Sequence, residues 1–299
     1  MKRFVLLLLV GFTLALPAQN WMESMEIATI LARGQNKLVL MVWQEASEYP
    51  LSVIVENDQG RDIYIKNIFE SPELTKLLWT YFIPVKVDEV FYEDMLKEIE
   101  GKRNQNYIDS FNDDSLKILD PNGNILGTTG SVSEVLNLSN FIGKYNLNTS
   151  YLKQELVNYF NKKDFYTSFY LASKYLDYSI LVNKSVRPEI LRLANIYFSQ
   201  AEQFLETDNA LKNKATLGQR IVLTKLKEDL IKGKPKKVLR QLKKIDDSAL
   251  IDANKSLKKF LEYTSYKLLR ETEKFSNLEK DISLLNLKLA QAIVNINPK

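Results

Sequence analysis

The chain has 299 residues, contains neither cysteine nor histidine, and carries a formal net charge of +4. Without a thiolate it is excluded from thiol–disulfide exchange, and it lacks the usual zinc ligands. The charge is unevenly divided: residues 19–148 hold 20 acidic and 11 basic residues (−9), residues 149–299 hold 17 and 28 (+11), and Lys2 and Arg3 complete the sum. We predict a domain boundary at residue 148, within a polar stretch.

Residues 1–18 have the pattern of an export signal. Lys2 and Arg3 precede an apolar run over residues 4–16, and the small residue Ala18 follows. A membrane anchor is the alternative, but about thirteen apolar residues are too few to cross roughly 30 Å of hydrocarbon. We therefore expect cleavage after Ala18 and a periplasmic or secreted protein.

The next residues predict alternating helices and strands. Residues 21–32 have helical spacing and Gly34 is a stop signal, whereas the apolar run 37–43 is typical of a strand buried on both faces. Residues 51–56 and 62–65 alternate around a loop with a glycine, which predicts a hairpin. Ser71, Pro72 and Glu73 are a helix start, and residues 82–88 are a second central strand.

The rest of this half continues the alternation. A polar helix is expected over residues 89–102, then a hairpin, 115–119 with 124–126, around the turn 120–123. Ser131 and Glu134 have the spacing of a capping box. They predict a last helix that carries Val135, Leu138, Phe141 and Ile142.

Three blocks of this half resemble the thioredoxin-like superfamily over residues 21–143. They are Trp21, Ser24, Glu26 and Ala28 with residues 37–40; residues 71–74 with 81–88; and residues 119–126. The resemblance implies an α/β domain with a central mixed sheet. It also implies two cysteines after the first central strand, where residues 47–51 stand, and a cis-proline before the third strand, where Asp114 stands. No catalytic residue is therefore carried over, and we expect a redox-inactive domain.

Residues 149–299 have helical spacing throughout and predict an antiparallel α-helical array. The stretches 163–175 and 233–245 both resemble the second helix of a tetratricopeptide unit and lie about two periods of ~34 residues apart. The expected fold class is thus α/β plus all-α, with a signal peptide (1–18), a thioredoxin-like domain (19–148) and a helical domain (149–299).

Candidate chemistry is sparse. Acid–base catalysis would use the pairs Asp113 and Asp114, Glu93 and Asp94, or Glu45 and Glu48, which are more typical of solvated segments. Ser47 has no histidine to activate it. Residues 120–124 resemble a calcium loop, but their glycine is two positions early and they favour a hairpin turn. We predict neither a metal nor a cofactor.

A basic stretch is the remaining feature. Glu228 and Asp229 are the acids that oppose it in the sequence. It is interpreted as a solvated helix face or as a surface for an acidic partner, for anionic lipid, or for the acidic N-terminal half. Nucleic acid does not suit an exported protein that lacks an aromatic-rich binding motif. The residues are Lys225, Lys227, Lys232, Lys234, Lys236, Lys237, Arg240, Lys243 and Lys244.

These observations favour a non-enzymatic module that binds protein partners or supports assembly in the cell envelope. Two alternatives stay open. One is a hydrolase-type enzyme with carboxylates or a serine in a pocket between the domains. The other is a protein that attaches peripherally to the membrane through residues 225–244.

Overall fold

The computed structural model describes residues 20–57, 59–130, 135–245 and 250–298. The expected signal peptide lies outside these residues. No helix in the described ranges combines the length and the apolar character that crossing a membrane requires. The described chain consists of an α/β half followed by a helical half.

The α/β half contains seven strands and five helices within the described residues. The strands are β1 (Leu38–Trp43), β2 (Val53–Glu56), β3 (Asp62–Ile65), β4 (Phe82–Val87), β5 (Lys117–Leu119), β6 (Ile125–Thr128) and β7 (Leu136–Asn137). The helices are α1 (Met25–Gln35), α2 (Pro72–Tyr81), α3 (Tyr92–Ile99), α4 (Gln105–Asn112) and α5 (Leu138–Tyr145). Short 3₁₀ turns occupy Glu45–Glu48, Glu89–Phe91 and Thr149–Leu152.

Four strands form the central sheet in the order β4-β1-β5-β6. Strand β1 is parallel to β4 and antiparallel to β5, and β5 is antiparallel to β6. All six residues of β1 are buried, as its uninterrupted apolar sequence predicts. Because β1 and β5 run in opposite directions, the end of β1 and the start of β5 lie at the same edge of the sheet.

The predicted hairpin of β2 and β3 is confirmed, but it belongs to a second sheet. Its order is β3-β2-β7, and β2 is parallel to β7, with Val53 opposite Leu136. The predicted helix start at Ser71 is also confirmed, since its side chain accepts a hydrogen bond from the Leu74 N–H at 3.2 Å. The predicted turn 120–123 is confirmed, since the Gly123 N–H donates to the Asp120 carbonyl at 2.9 Å and Gly123 has a φ of 88°.

Several predicted boundaries were wrong. Helix α1 begins at Met25, because Met22 instead pairs with Val85 of β4. It continues past Gly34 to Gln35 and is capped by Asn36, whose backbone is left-handed. The single polar helix predicted over residues 89–102 is instead a short 3₁₀ turn followed by the shorter α3. Helix α4 was not predicted from the sequence.

The predicted helix that starts at residue 131 was also wrong in its boundary. Helix α5 starts at Leu138, capped by Asn137, because Leu136 and Asn137 pair with β2. The capping-box residues Ser131 and Glu134 lie outside the described residues.

The helical half contains eight α-helices within the described residues. They are α6 (Lys153–Asn161), α7 (Phe165–Leu181), α8 (Arg187–Thr207), α9 (Lys214–Ile231), α10 (Pro235–Leu242), α11 (Asp252–Leu269), α12 (Thr272–Glu279) and α13 (Leu284–Asn295). Asp164 and Thr167 form a reciprocal capping box at the start of α7. The long helices α7 and α8 pack against each other, and α8 meets the α/β half through β6.

The hydrophobic core continues from one half into the other, from Trp21 to Ile293. A cation–π contact between Arg33 and Phe160 also crosses the junction. Arg33 of α1 is buried, donates to the Pro121 carbonyl at 2.5 Å and stacks on the ring of Phe160 in α6 at 3.7 Å. The two halves are therefore packed against each other, and this packing sets the relative position of the residues at the junction.

Candidate functional site

A cleft of about 490 Å³ lies at the sheet edge where β1 ends and β5 begins. We call it the strand-end cleft. Its lining comes from Ala46, residues 49–51, Phe69, residues 113–116 and residues 129–130. The sheet order brings together residues 47–51 and Asp114, the two positions at which the resemblance implied thiols and a cis-proline. No described peptide bond is cis.

The loop between Phe111 and β5 is anchored by a buried lysine. Lys117 is fully buried, and its Nζ donates to the carbonyl of Asp113, to the Ser115 carbonyl at 3.1 Å and to Oδ1 of Asp113 at 3.2 Å. Burial lowers the pKa of Lys117. Asp113 is thus a loop anchor, while its neighbour Asp114 is exposed at the rim.

The other sequence candidates do not form a catalytic group. Ser47 is buried and its hydroxyl donates to the Gln44 carbonyl at 2.8 Å. Glu45 and Glu48 are exposed, and Asp94 pairs with Lys97 at 3.0 Å on the surface of α3. Within the described ranges, no cluster of three or more acidic side chains is placed to hold a metal ion.

The turn 120–124 joins the two halves. Asp120 is fully buried; its Oδ1 accepts the N–H groups of Asn122 at 3.0 Å and Asn124 at 2.9 Å. Its Oδ2 accepts the hydroxyls of Tyr175, at 3.1 Å, and Tyr197. Burial raises the pKa of Asp120, and the hydrogen bonds from Tyr197 and Asn124 oppose that rise. All four hydrogen bonds that Asp120 accepts come from other residues of the chain, as expected for a turn rather than a calcium loop.

A second cleft, of about 680 Å³, lies between the halves. We call it the inter-half cleft. It is lined by the segment 102–110 at the start of α4, by residues 125–128 of β6, and by one face of α8 between residues 189 and 199. The sequence did not predict it, because its charged residues are scattered and carry no motif.

The charged groups of the inter-half cleft are Lys102, Arg103, Arg192 and Glu189. Glu189 is paired with Lys144 at 2.7 Å. Arg103 donates to Asn124 Oδ1 at 3.0 Å and to the Lys102 carbonyl at 3.2 Å, both of them neutral acceptors. The cleft therefore has an excess of positive charge.

A glycine allows Glu189 to pack beside β6. A methyl group at Gly127 would collide with the Tyr145 hydroxyl and lie 2.9 Å from Oε2 of Glu189. Gly127 thus permits the close approach of β6 to Tyr145 of α5 and to Glu189 at the start of α8. Gly127 and Glu189 both line the inter-half cleft.

The structure divides the basic stretch into paired and solvent-facing cations. Lys225 and Lys227 pair with acids that lie far away in the sequence, Glu202 at 2.5 Å and Asp177 at 2.6 Å. Lys232 pairs with Glu228, and Lys237 with Asp229 at 2.9 Å. The remaining cations are exposed around α10: Lys234, Lys236, Arg240, Lys243 and Lys244.

This pairing changes the interpretation of the stretch. Glu228 and Asp229 are joined by Glu202 and Asp177 as its counter-charges, and all four acids belong to the helical half. The described ion pairs therefore do not join the basic stretch to the acidic N-terminal half.

Comparison of the chain with protein-family models, with curated proteins and with solved structures finds no match.

Proposed function

We propose that the protein is an exported, non-redox binding module whose α/β half is thioredoxin-like and whose partner docks in the strand-end cleft. The sheet order β4-β1-β5-β6, with β5 antiparallel to its neighbours, supports the thioredoxin-like part. The proposal that a partner docks there rests on the position of the strand-end cleft, between the segment after β1 and the segment before β5.

The chemistry of the strand-end cleft suits a peptide segment better than a reaction. Tyr49 is 75% exposed at its rim, and Leu51 and Phe69 add apolar surface. Aromatic and aliphatic groups beside backbone polar groups are typical of sites that bind peptides. Asp113, held by Lys117, fixes one wall before a partner arrives, so little ordering cost accompanies binding.

The test is site-specific photocrosslinking in native envelopes, with a photoreactive phenylalanine analogue at Tyr49. The control carries it at Tyr170, another exposed tyrosine, on α7. We expect a discrete adduct with one envelope protein from position 49 only, and its loss when Leu51→Asp places a charge in the cleft. Equal adducts from both positions, or none from position 49, would contradict the proposal.

A hydrolase-type enzyme is the second candidate, and one observation favours it. The inter-half cleft brings several polar groups together, among them Ser110, Ser199 and Glu189. The test is turnover of ester, glycoside and phosphoester chromogenic substrates by the protein and its Ser110→Ala, Ser199→Ala and Glu189→Gln variants. Activity that one of these substitutions abolishes supports the enzyme, and absence of turnover of all three classes contradicts it.

Peripheral attachment to anionic lipid is the third candidate, favoured by the exposed cations on α10 and beside its ends. Surface cations near an anionic leaflet contribute about 1 kcal/mol each and are screened by salt. The test is sedimentation with phosphatidylglycerol vesicles at low and high salt. The comparison is a variant with glutamine at Lys236, Arg240, Lys243 and Lys244. Salt-sensitive binding that the variant loses supports this candidate, and equal sedimentation contradicts it.

A further inference from the structure

We propose that the inter-half cleft binds an anionic, hydroxyl-rich small molecule of the size of a sugar acid or a sugar phosphate. Its volume of about 680 Å³ is in the range of small-molecule sites. This site is separate from the strand-end cleft and does not depend on the docking function proposed there.

The charge of the cleft selects an anion. Lys102, Arg103 and Arg192 line it, and the one acid in the lining, Glu189, already has Lys144 as its partner at 2.7 Å. The guanidinium of Arg192 lies 3.9 Å from Glu189, beyond hydrogen-bond distance, and its side chain is 64% exposed. Arg192 is therefore available to a carboxylate or phosphate, which guanidinium groups bind through two parallel hydrogen bonds.

The neutral part of the lining selects hydroxyl groups. Residues with amide or hydroxyl side chains line all three walls: Asn104, Asn106, Ser110, Thr128 and Ser199. Such groups both donate and accept, so they match a ligand with several hydroxyls better than a bare ion or an apolar molecule. Tyr107 lines the same space, with the guanidinium of Arg103 over its ring at 5.7 Å from the centroid.

The walls are held in position before a ligand binds. The Tyr107 hydroxyl accepts the Ile125 N–H at 2.9 Å, which joins α4 to β6. Arg103 joins the same segment to Asn124 at 3.0 Å, and Asn124 in turn donates to Tyr197 of α8 at 3.0 Å. These contacts connect the three walls, so the cleft is preorganised.

The test is isothermal titration of the purified protein with four probes: glucuronate, glucose 6-phosphate, glucose and inorganic phosphate. We expect both sugar anions to bind at least about tenfold more tightly than glucose, since charge-assisted hydrogen bonds are the stronger ones. Binding of glucose as tightly as glucuronate would overturn the anionic part of the proposal. Binding of phosphate as tightly as glucose 6-phosphate would overturn the hydroxyl part, and no binding of either sugar anion would overturn both.

Variants locate the site. Arg192→Gln and, independently, Lys102→Gln should weaken the binding of both sugar anions, Arg192→Gln by about tenfold. Both side chains are substantially exposed, so folding should survive, which thermal unfolding verifies. The control is Arg61→Gln in the exposed turn before β3, where affinity should not change. Sugar-anion binding that Arg192→Gln and Lys102→Gln leave intact would place the ligand elsewhere and overturn the assignment.

Discussion

The hydroxyl of Tyr197 on α8 donates a hydrogen bond to Oδ2 of Asp120 in the β5–β6 turn. Both residues are fully buried. Tyr175 donates to the same oxygen at 3.1 Å, so two tyrosines of the helical half converge on one carboxylate of the α/β half. A buried carboxylate is tolerated only when its acceptor sites are filled. The junction between the halves is therefore specified by polar contacts as well as by apolar packing.

The first prediction concerns the loss of this carboxylate. Asp120→Asn replaces a carboxylate oxygen that accepts hydrogen bonds with an amide NH2 that donates them. If the amide NH2 faces the two buried tyrosine hydroxyls, those hydroxyls lose the acceptor for their own hydrogens. We expect a loss of about 2–4 kcal/mol in the free energy of unfolding, measured by urea denaturation. Asp114→Asn, at an exposed position six residues earlier, is the control and should change stability by less than about 0.5 kcal/mol. If both substitutions changed the free energy of unfolding equally, the Asp120 carboxylate would not be what stabilises the junction.

The second prediction concerns pH. Burial raises the pKa of Asp120 above its ordinary value of 3.8. The folded chain then holds the proton more tightly than the unfolded chain, so this contribution to stability is complete below the ordinary pKa and is lost as the pH rises through the folded pKa.

The measurement compares wild type with Asp120→Asn by urea denaturation from about pH 4 to about pH 8. The stability difference in favour of wild type should narrow as the pH rises. A difference that widens with pH would mean that the four hydrogen bonds to Asp120 outweigh its burial.

A structural element was predictable from the sequence when the residues that stabilise it are close together in the chain. The strand β1 was predictable because six consecutive apolar residues leave no polar face. The Ser71 cap and the Gly123 turn were predictable because each depends on residues that are neighbours in the sequence. Thioredoxin-like ancestry and a binding role remain predictions.

The rest depended on contacts between distant segments. Helix α5 starts late because Leu136 pairs with Val53, which no local pattern indicates. Arg103 and Arg192, which are far apart in the sequence, both line the inter-half cleft. They are brought there because α8 packs against β6, which also contacts α4. The sequence did not indicate the ion pairs of Lys225 and Lys227, because their partners Glu202 and Asp177 lie on α8 and α7.

The third prediction is a pair of glycine substitutions with opposite signs. Gly127→Ala should destabilise the protein by about 1–3 kcal/mol, because the methyl group meets Tyr145 and Glu189 in a packed junction. Gly143→Ala lies on α5, where nothing is within 4 Å of the added methyl group. It should stabilise the protein by about 0.5–1 kcal/mol through helix propensity. Thermal unfolding measures both, and destabilisation by Gly143→Ala or no effect of Gly127→Ala would contradict the packing described for these sites.

The fourth prediction tests the anchor of the strand-end cleft. Lys117→Met keeps an unbranched chain of similar length but removes three hydrogen bonds to the Asp113 and Ser115 segment. It also removes the cost of burying an ammonium group, so the net loss should be about 1–3 kcal/mol. Amide hydrogen exchange should accelerate at residues 113–115, and the crosslink from Tyr49 should weaken as that wall loosens.

The matched control is Lys97→Met, in an exposed ion pair with Asp94 at 3.0 Å, where the change should stay below about 0.5 kcal/mol. Unchanged exchange at residues 113–115 in Lys117→Met would show that the buried ammonium does not hold the loop. A normal crosslink despite faster exchange would instead show that docking of the partner does not depend on this wall of the strand-end cleft.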